Sequence, residues 1–90
     1  MKKTIITVVG KESVGIIAKV CTYLSENQVN ILDISQTIVQ GYFNMMMITD
    51  IKDTKKDFTE LSSELEKIGE EINCIIKIQR EEIFDKMHRL

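Results

Sequence analysis

The spacing of apolar positions along the chain alternates between two residues and three-to-four residues, and each change marks a new element. Lys3 to Val9, KTIITVV, is β-branched and bounded by Gly10, which predicts a strand. From Val14 the period lengthens: Ile16, Ile17, Val20, Cys21 and Leu24 recur every three or four residues behind Ser13, a favourable N-cap. Asn27 is placed to take a left-handed conformation at the end of this helix. NILDISQTIV then alternates, with Leu32, Ile34, Gln36 and Ile38 on one face and Asp33, Ser35, Thr37 and Val39 on the other. After a turn at Gln40-Gly41, YFNMMMITDI reads as its hairpin partner. Phe58, Leu61, Leu65 and Ile68 return to helical spacing, opened by Asp57 with Glu60 three residues on, and closed by Gly69. INCIIKIQR follows as a last strand, and EEIFDKMHRL as a short amphipathic helix with Ile83, Met87 and Leu90 on one side.

The resulting β-α-β-β-α-β order is that of the ferredoxin-like α+β sandwich, a four-stranded antiparallel sheet with two helices on one face. The first and third strands are then central, and the second and fourth form the edges. Their polar residues agree: Asp33, Ser35 and Gln36 on one, Lys77, Gln79 and Arg80 on the other, where water reaches them. Ninety residues make a single domain with a small core. Residues 1–80 carry the sandwich and 81–90 a C-terminal extension. Its Ile83, Phe84, Met87 and Leu90 are too apolar for a free tail and are expected to dock on this chain or a dimer partner.

Charge narrows the function little: a net −2 gives no general attraction to nucleic acid or to an anionic membrane. No apolar run has the roughly 18 residues of a bilayer span, and MKKTIITVVGKE lacks a cleavage signal, so a cytoplasmic location is expected. Cys21 and Cys74 have no pairwise spacing and read as reduced, buried fillers. The fold itself hosts many functions, so residues must decide among them. RNA binding would need aromatic residues on the first and third strands, where KTIITVV and NMMMITD have none. A metal carrier would need paired cysteines in the GKES loop, and an acylphosphatase-type enzyme an arginine there; both are missing. His88 lies at the chain end, and Asp50, Asp53 and Asp57 lack the spacing of a calcium loop and read as turn and cap residues. Met45, Met46 and Met47 alternate across a central strand as filler, and Tyr42 and Phe43 are expected to cover the sheet's open face. No enzyme, cofactor or metal is expected.

VVGKESVGIIAKVCTYLSENQVNILDISQT, Val8 to Thr37, resembles the ACT domain. That family carries a hydrophobic-Gly-x-[Asp/Glu]-x-x-Gly-[Ile/Val] loop, followed about fifteen residues on by Asn-Ile. The resemblance extends over nearly the whole chain and is closest to small, stand-alone bacterial ACT proteins similar to the regulator of the glycine-cleavage system. Val14 stands where many ACT domains have proline. The resemblance implies an amino-acid-binding regulatory protein whose ligand is held by the loop Gly10, Lys11, Glu12, Ser13, Val14 and Gly15, and by Asn30, Ile31 and Asp33 on the second strand. In the serine-sensing ACT domain of phosphoglycerate dehydrogenase the loop supplies a histidine and an asparagine. Gly10 and Glu12 occupy those positions here, so ligand identity does not carry over.

The residues give their own reasons for these positions. Glycine in a first helical turn costs about 0.5–1 kcal/mol relative to alanine, so Gly15 implies close approach, either of the protein's own sheet or of a ligand near unpaired N–H groups. Ser13 serves first as a cap. Glu12 is either a partner for an α-amino group, with Asn30 and the helix start taking the carboxylate, or a solvated surface glutamate. Asp33 is either an assisting carboxylate or an ordinary edge charge. The topology separates loop and Asn30 within one chain by roughly 20 Å, about six residues of strand. An antiparallel pair of chains would bring them together, so a homodimer sharing the second strand is expected, with ligand binding linked to dimer geometry. The alternative is a dimeric protein-interaction module with no small-molecule ligand.

Overall fold

β1 (Lys3–Gly10), α1 (Ser13–Glu26), β2 (Asn30–Val39), β3 (Tyr42–Asp50), α2 (Phe58–Glu71) and β4 (Ile75–Arg80) follow one another in the computed structural model, which describes residues 2–11 and 13–82. The strands form one antiparallel sheet in the order β2-β3-β1-β4, with β1 and β3 central, as the sequence pattern requires. Register places Ile6 beside Met47 and Ile78, and Val8 beside Met45 and Ile76. These residues share one sheet face and join Ile16, Val20 and Leu24 of α1 and Leu61 and Leu65 of α2 in one core. Both helices therefore cover the same face. At the edge of this core, Thr4 and Thr49 pair their buried hydroxyls at 2.6 Å, so no polar side-chain atom there goes unsatisfied. Met46, between two buried methionines, points to the other face, whereas Phe43 is buried among the core residues; only Tyr42 of that pair is exposed.

Local chemistry explains the element ends. Asp57 caps α2: its side chain accepts the Glu60 N–H at 2.8 Å, and Glu60 returns a bond to the Asp57 N–H at 3.4 Å. The C-termini differ from expectation. Gln28, not Asn27, takes positive φ after α1, with Val29 N–H donating to the Leu24 carbonyl at 2.9 Å and Gln28 N–H to Ser25 at 3.2 Å. That is the paired bonding of a Schellman ending, sealed by buried Leu24 and Val29. Asn27 instead turns its side-chain amide back to the Tyr23 carbonyl. Gly69 does not end α2, which runs to Glu71 and reverses at Asn73 (φ 56°). A Cβ on Gly69 would sit 2.6 Å from the Cys74 carbonyl oxygen, so this glycine admits the returning chain, whose Cys74 N–H donates to the Gly69 carbonyl at 2.8 Å.

Gln40 (φ 51°) and Gly41 (φ 81°) form the two-residue turn joining β2 to β3, with Val39 opposite Tyr42. Two successive positive φ values match a type I′ hairpin. Register slips once, between Ile31 and Asp33, making Leu32 the extra residue of a bulge. Ser13 lies inside the helical span as its first residue. Cys21 and Cys74 are free thiols and half-buried, less enclosed than expected. Burial pushes the Cys74 thiol pKa up. Glu81 and Glu82 have helical backbone, while the expected docking of Ile83, Phe84, Met87 and Leu90 falls outside the described residues.

Candidate functional site

The loop after β1 and the start of β2 occupy opposite ends of the sheet. Gly10 lies beside Phe43, which pairs on its other side with Ile38; Asn30 pairs with Asp50, which lies beside Lys3. Lys3 and Gly10 are seven residue steps apart on β1, a separation of roughly 23 Å at about 3.3 Å per residue. Gly10, Lys11, Ser13, Val14 and Gly15 are thus gathered at one end, and Asn30, Ile31 and Asp33 at the other. One chain does not bring the two groups together. Glu12 lies outside the described residues.

The two loop glycines have different roles. A Cβ on Gly10 would lie 2.5 Å from Ile16 Cδ1 and 2.8 Å from Cys74 Cβ, so Gly10 lets α1 and the turn after α2 close over the end of β1. Gly10 is a packing residue. At Gly15 no described residue lies within 4 Å of the position a Cβ would take. The need for close approach to the protein's own sheet is therefore absent at Gly15, and the helix carries a glycine facing open space. Beside it Val14 is 83% exposed. Lys11 is exposed, its ammonium 5.8 Å from the Tyr42 ring centroid, near enough for a cation–π contact.

At the other end, the exposed Asn30 side chain has no hydrogen-bond partner among the described residues. Ile31 is half-buried and packs on the core, so it positions the strand rather than presenting a surface. Asp33 is exposed and partly committed, since its Oδ1 accepts the Ile34 N–H at 2.9 Å. Asp50, behind Asn30, accepts the backbone N–H groups of Lys2 (3.0 Å) and Lys52 (3.1 Å). Burial works to raise its pKa, but these bonds and the Lys52 charge outweigh it and hold the carboxyl below its usual range.

Sequence patterning anticipated the exposed polar residues of β2, Asp33, Ser35 and Gln36, but not the exposure of its apolar ones. Leu32, Ile34, Ile38 and Val39 are all open to solvent, Ile38 at 72%, although Ile34 and Ile38 pair with the buried Met47 and Phe43. Their alternation implies burial, but the strand lies beyond the reach of the helices. A signal was available in the edge position combined with so many apolar residues, an arrangement that an isolated chain ordinarily avoids. Val39 and Tyr42 add apolar surface at the loop end.

A clasp between the helices stiffens the chain that leads from β3 into α2. The Tyr23 hydroxyl and the Lys56 ammonium each donate to Glu64 Oε1 at 2.6 Å, and Lys56 also lies 5.7 Å from the Tyr23 ring. Lys56, then Tyr23, draw the Glu64 pKa down; burial, then the bond to Glu64, push Tyr23 well above its ordinary value. The described residues hold no cluster of His, Cys, Asp and Glu suited to a metal, and no helix among them is long and apolar enough to cross a membrane.

A sequence model of the ACT domain matches residues 2–79. A UPF0237 protein of Bifidobacterium longum is 61% identical over 90 residues, covering all of both chains. Among solved structures, an ACT domain protein from Streptococcus pneumoniae superposes with a TM-score of 0.82 at 46% identity, covering 93% of this chain and 94% of that one. A structure described as a glycine cleavage system transcriptional repressor superposes with a TM-score of 0.73 over 88% of this chain and 45% of its own; at 22% identity it shows the shared fold alone.

Proposed function

Because this chain belongs to the ACT domain family of regulatory ligand-binding domains, we propose that it acts as a homodimeric sensor, holding an amino acid between two subunits and passing its presence to a protein partner. The observation that carries the reading is the division of the site. Among the described residues, Gly15 faces open space at one end of the sheet, while Asn30 keeps an unpartnered amide at the other. A two-fold axis beside β2, with the two β2 strands antiparallel, turns the loop of one subunit toward Asn30 of its partner, making two equivalent sites.

Each contact then has a chemical task. The open N-terminal turn of α1 offers backbone N–H groups to the α-carboxylate, and Gly15 leaves room for it to approach. Asn30 supplies a donor and an acceptor, and Glu12 and Asp33 are the carboxylates available for the α-amino group. The exposed Leu32, Ile34 and Ile38 support β2 as the shared edge, since pairing there removes apolar surface from water. Regulation follows from differential binding: a ligand touching both subunits favours the dimer geometry that closes around it.

The same exposed strand also supports a second reading, a dimeric interaction module that takes no small molecule. Thermal denaturation against a panel of the common amino acids separates the two. At a hundred times its dissociation constant, a bound ligand adds about 2.7 kcal/mol. On the sensor reading at least one amino acid raises the melting temperature and Asn30→Ala removes the effect; no response across the panel favours the interaction module.

A further inference from the structure

A cavity of about 770 Å³ opens between the start of β1, the loop from β3 to α2 and the end of β4. Its size suits a small metabolite, for which pockets run from about 300 to 1,000 Å³. It lies within one chain and uses none of the residues assigned to the two-subunit site. Most of its carboxylates are already occupied by the fold: Asp57 caps α2 through the Glu60 N–H, and Glu81 faces Lys3 at 3.9 Å. Lys56 is likewise bound to Glu64. Asp50 beside it is taken up by two backbone N–H groups, and Glu82 is exposed.

The cations that remain are the ammonium groups of Lys2 and Lys52 and the Arg80 guanidinium, none of which has a salt-bridge partner among the described residues. Arg80 is held 4.6 Å from the Phe58 ring centroid. Such stacking occupies the guanidinium face and leaves its N–H edge for an acceptor with paired oxygens. Thr54, on the cavity wall, accepts the Lys56 N–H at 3.3 Å through Oγ1, and its own hydroxyl proton has no acceptor among the described residues.

We propose that this cavity binds a small phosphoryl-bearing anion, with Arg80 engaging two of its oxygens and Lys2, Lys52 and Thr54 completing the shell. Lys2, Lys52 and Arg80, none of them salt-bridged among the described residues, match a group carrying two or more negative charges even with the Lys52 charge also acting on Asp50; a lone carboxylate would leave charge uncompensated. Arg80 supplies the preference for paired oxygens, and the two lysines supply charge without fixed geometry.

Amide-resolved NMR titration of the full chain with inorganic pyrophosphate tests the assignment, with sodium chloride at matched ionic strength and citrate as comparison arms. The expected result is saturable shifts confined to residues 2–4, 51–58 and 80–82, with the Gly10 to Gly15 loop and Asn30 unmoved. Lys52→Gln with Arg80→Gln should weaken binding roughly tenfold or more, as expected for the loss of charge-assisted bonds. Arg80→Lys should fall between, because it keeps the charge and loses the fork. Lys52→Gln alone, on an exposed loop residue, guards against a folding defect in the double variant. Shifts reproduced by sodium chloride, equal affinity for citrate, or unchanged pyrophosphate affinity in the double variant would overturn the proposal. None of these results bears on the amino-acid panel, so the two readings fail separately.

Discussion

Replacing Gly10 and Gly15 separately with alanine tests the different roles of the two glycines. At Gly10 the new methyl would lie 2.5 Å from Ile16 Cδ1 and 2.8 Å from Cys74 Cβ, both inside contact distance. The Ile16 methyl is the end of a flexible side chain and can rotate away. Cys74 Cβ is attached directly to the backbone of the turn into β4, so relief there requires the turn to move. Overpacking of this kind costs about 1–3 kcal/mol. At Gly15 the methyl meets nothing within 4 Å among the described residues, and the backbone is already helical. Alanine there should stabilise the fold by about 0.5 kcal/mol, because the unfolded chain loses conformational freedom and the helix loses nothing. In a domain of this size 1 kcal/mol moves the melting temperature by roughly 4–8 °C. Thermal and urea denaturation should therefore place Gly10→Ala well below the parent and Gly15→Ala level with it or slightly above. On the sensor reading, Gly15→Ala nevertheless weakens amino-acid binding, since the methyl fills space reserved for something outside the chain. Destabilisation of Gly15→Ala as large as that of Gly10→Ala would refute the reasoning, because Gly15 would then be packed internally.

Further outcomes follow from the same structure. Gly69→Ala should lose about 1–3 kcal/mol in urea denaturation despite alanine's better helix propensity, because its Cβ meets the Cys74 carbonyl oxygen at 2.6 Å. On the sensor reading, Asn30→Ala should abolish amino-acid binding by calorimetry while sedimentation reports a dimer for both parent and variant. The folded pKa values of Asp50 and Glu64 lie below their ordinary values of 3.8 and 4.5. In that window the unfolded state binds more protons, so their stabilisation is complete above the ordinary values and disappears as pH falls through the folded ones. Urea midpoints measured on descending pH should fall there, and Glu64→Gln should flatten part of the decline.

The fold was legible where local chemistry and periodicity agreed. Asp57 and Glu60 announced α2, Gln40-Gly41 announced the hairpin, and the apolar runs of β1 and β3 announced the sheet centre. Helix ends were less legible because turn-forming residues serve more than one purpose. Gly69 has the composition of a terminator but is used for a close backbone approach, leaving the left-handed position to Asn73. Gln28 takes that position after α1, because the bonds from Val29 and Gln28 back to Leu24 and Ser25 set the register of the ending, whatever Asn27 would prefer.

For the candidate site, the sequence singled out the loop and Asn30 but did not distinguish a glycine needed for packing from one facing open space. Gly10 and Gly15 look alike in a string of letters. What differs is the presence of Ile16 and Cys74 beside one and nothing beside the other, and Cys74 arrives from almost the opposite end of the chain. The exposure of the apolar residues of β2 was hidden for a related reason. Alternation reports which residues share a face, while helix placement decides whether that face is covered.

The central claim is that each ligand site draws its loop from one subunit and its asparagine from the other. The most direct test mixes two chains that are each unable to bind, Gly15→Phe and Asn30→Ala, under conditions where subunits exchange, and measures binding of an amino acid taken from the thermal panel. The account predicts that mixed dimers recover one intact site, assembled from the unaltered loop of the Asn30→Ala chain and the unaltered Asn30 of its partner. Exchange demonstrated by mass spectrometry, with no recovery of binding, would contradict it.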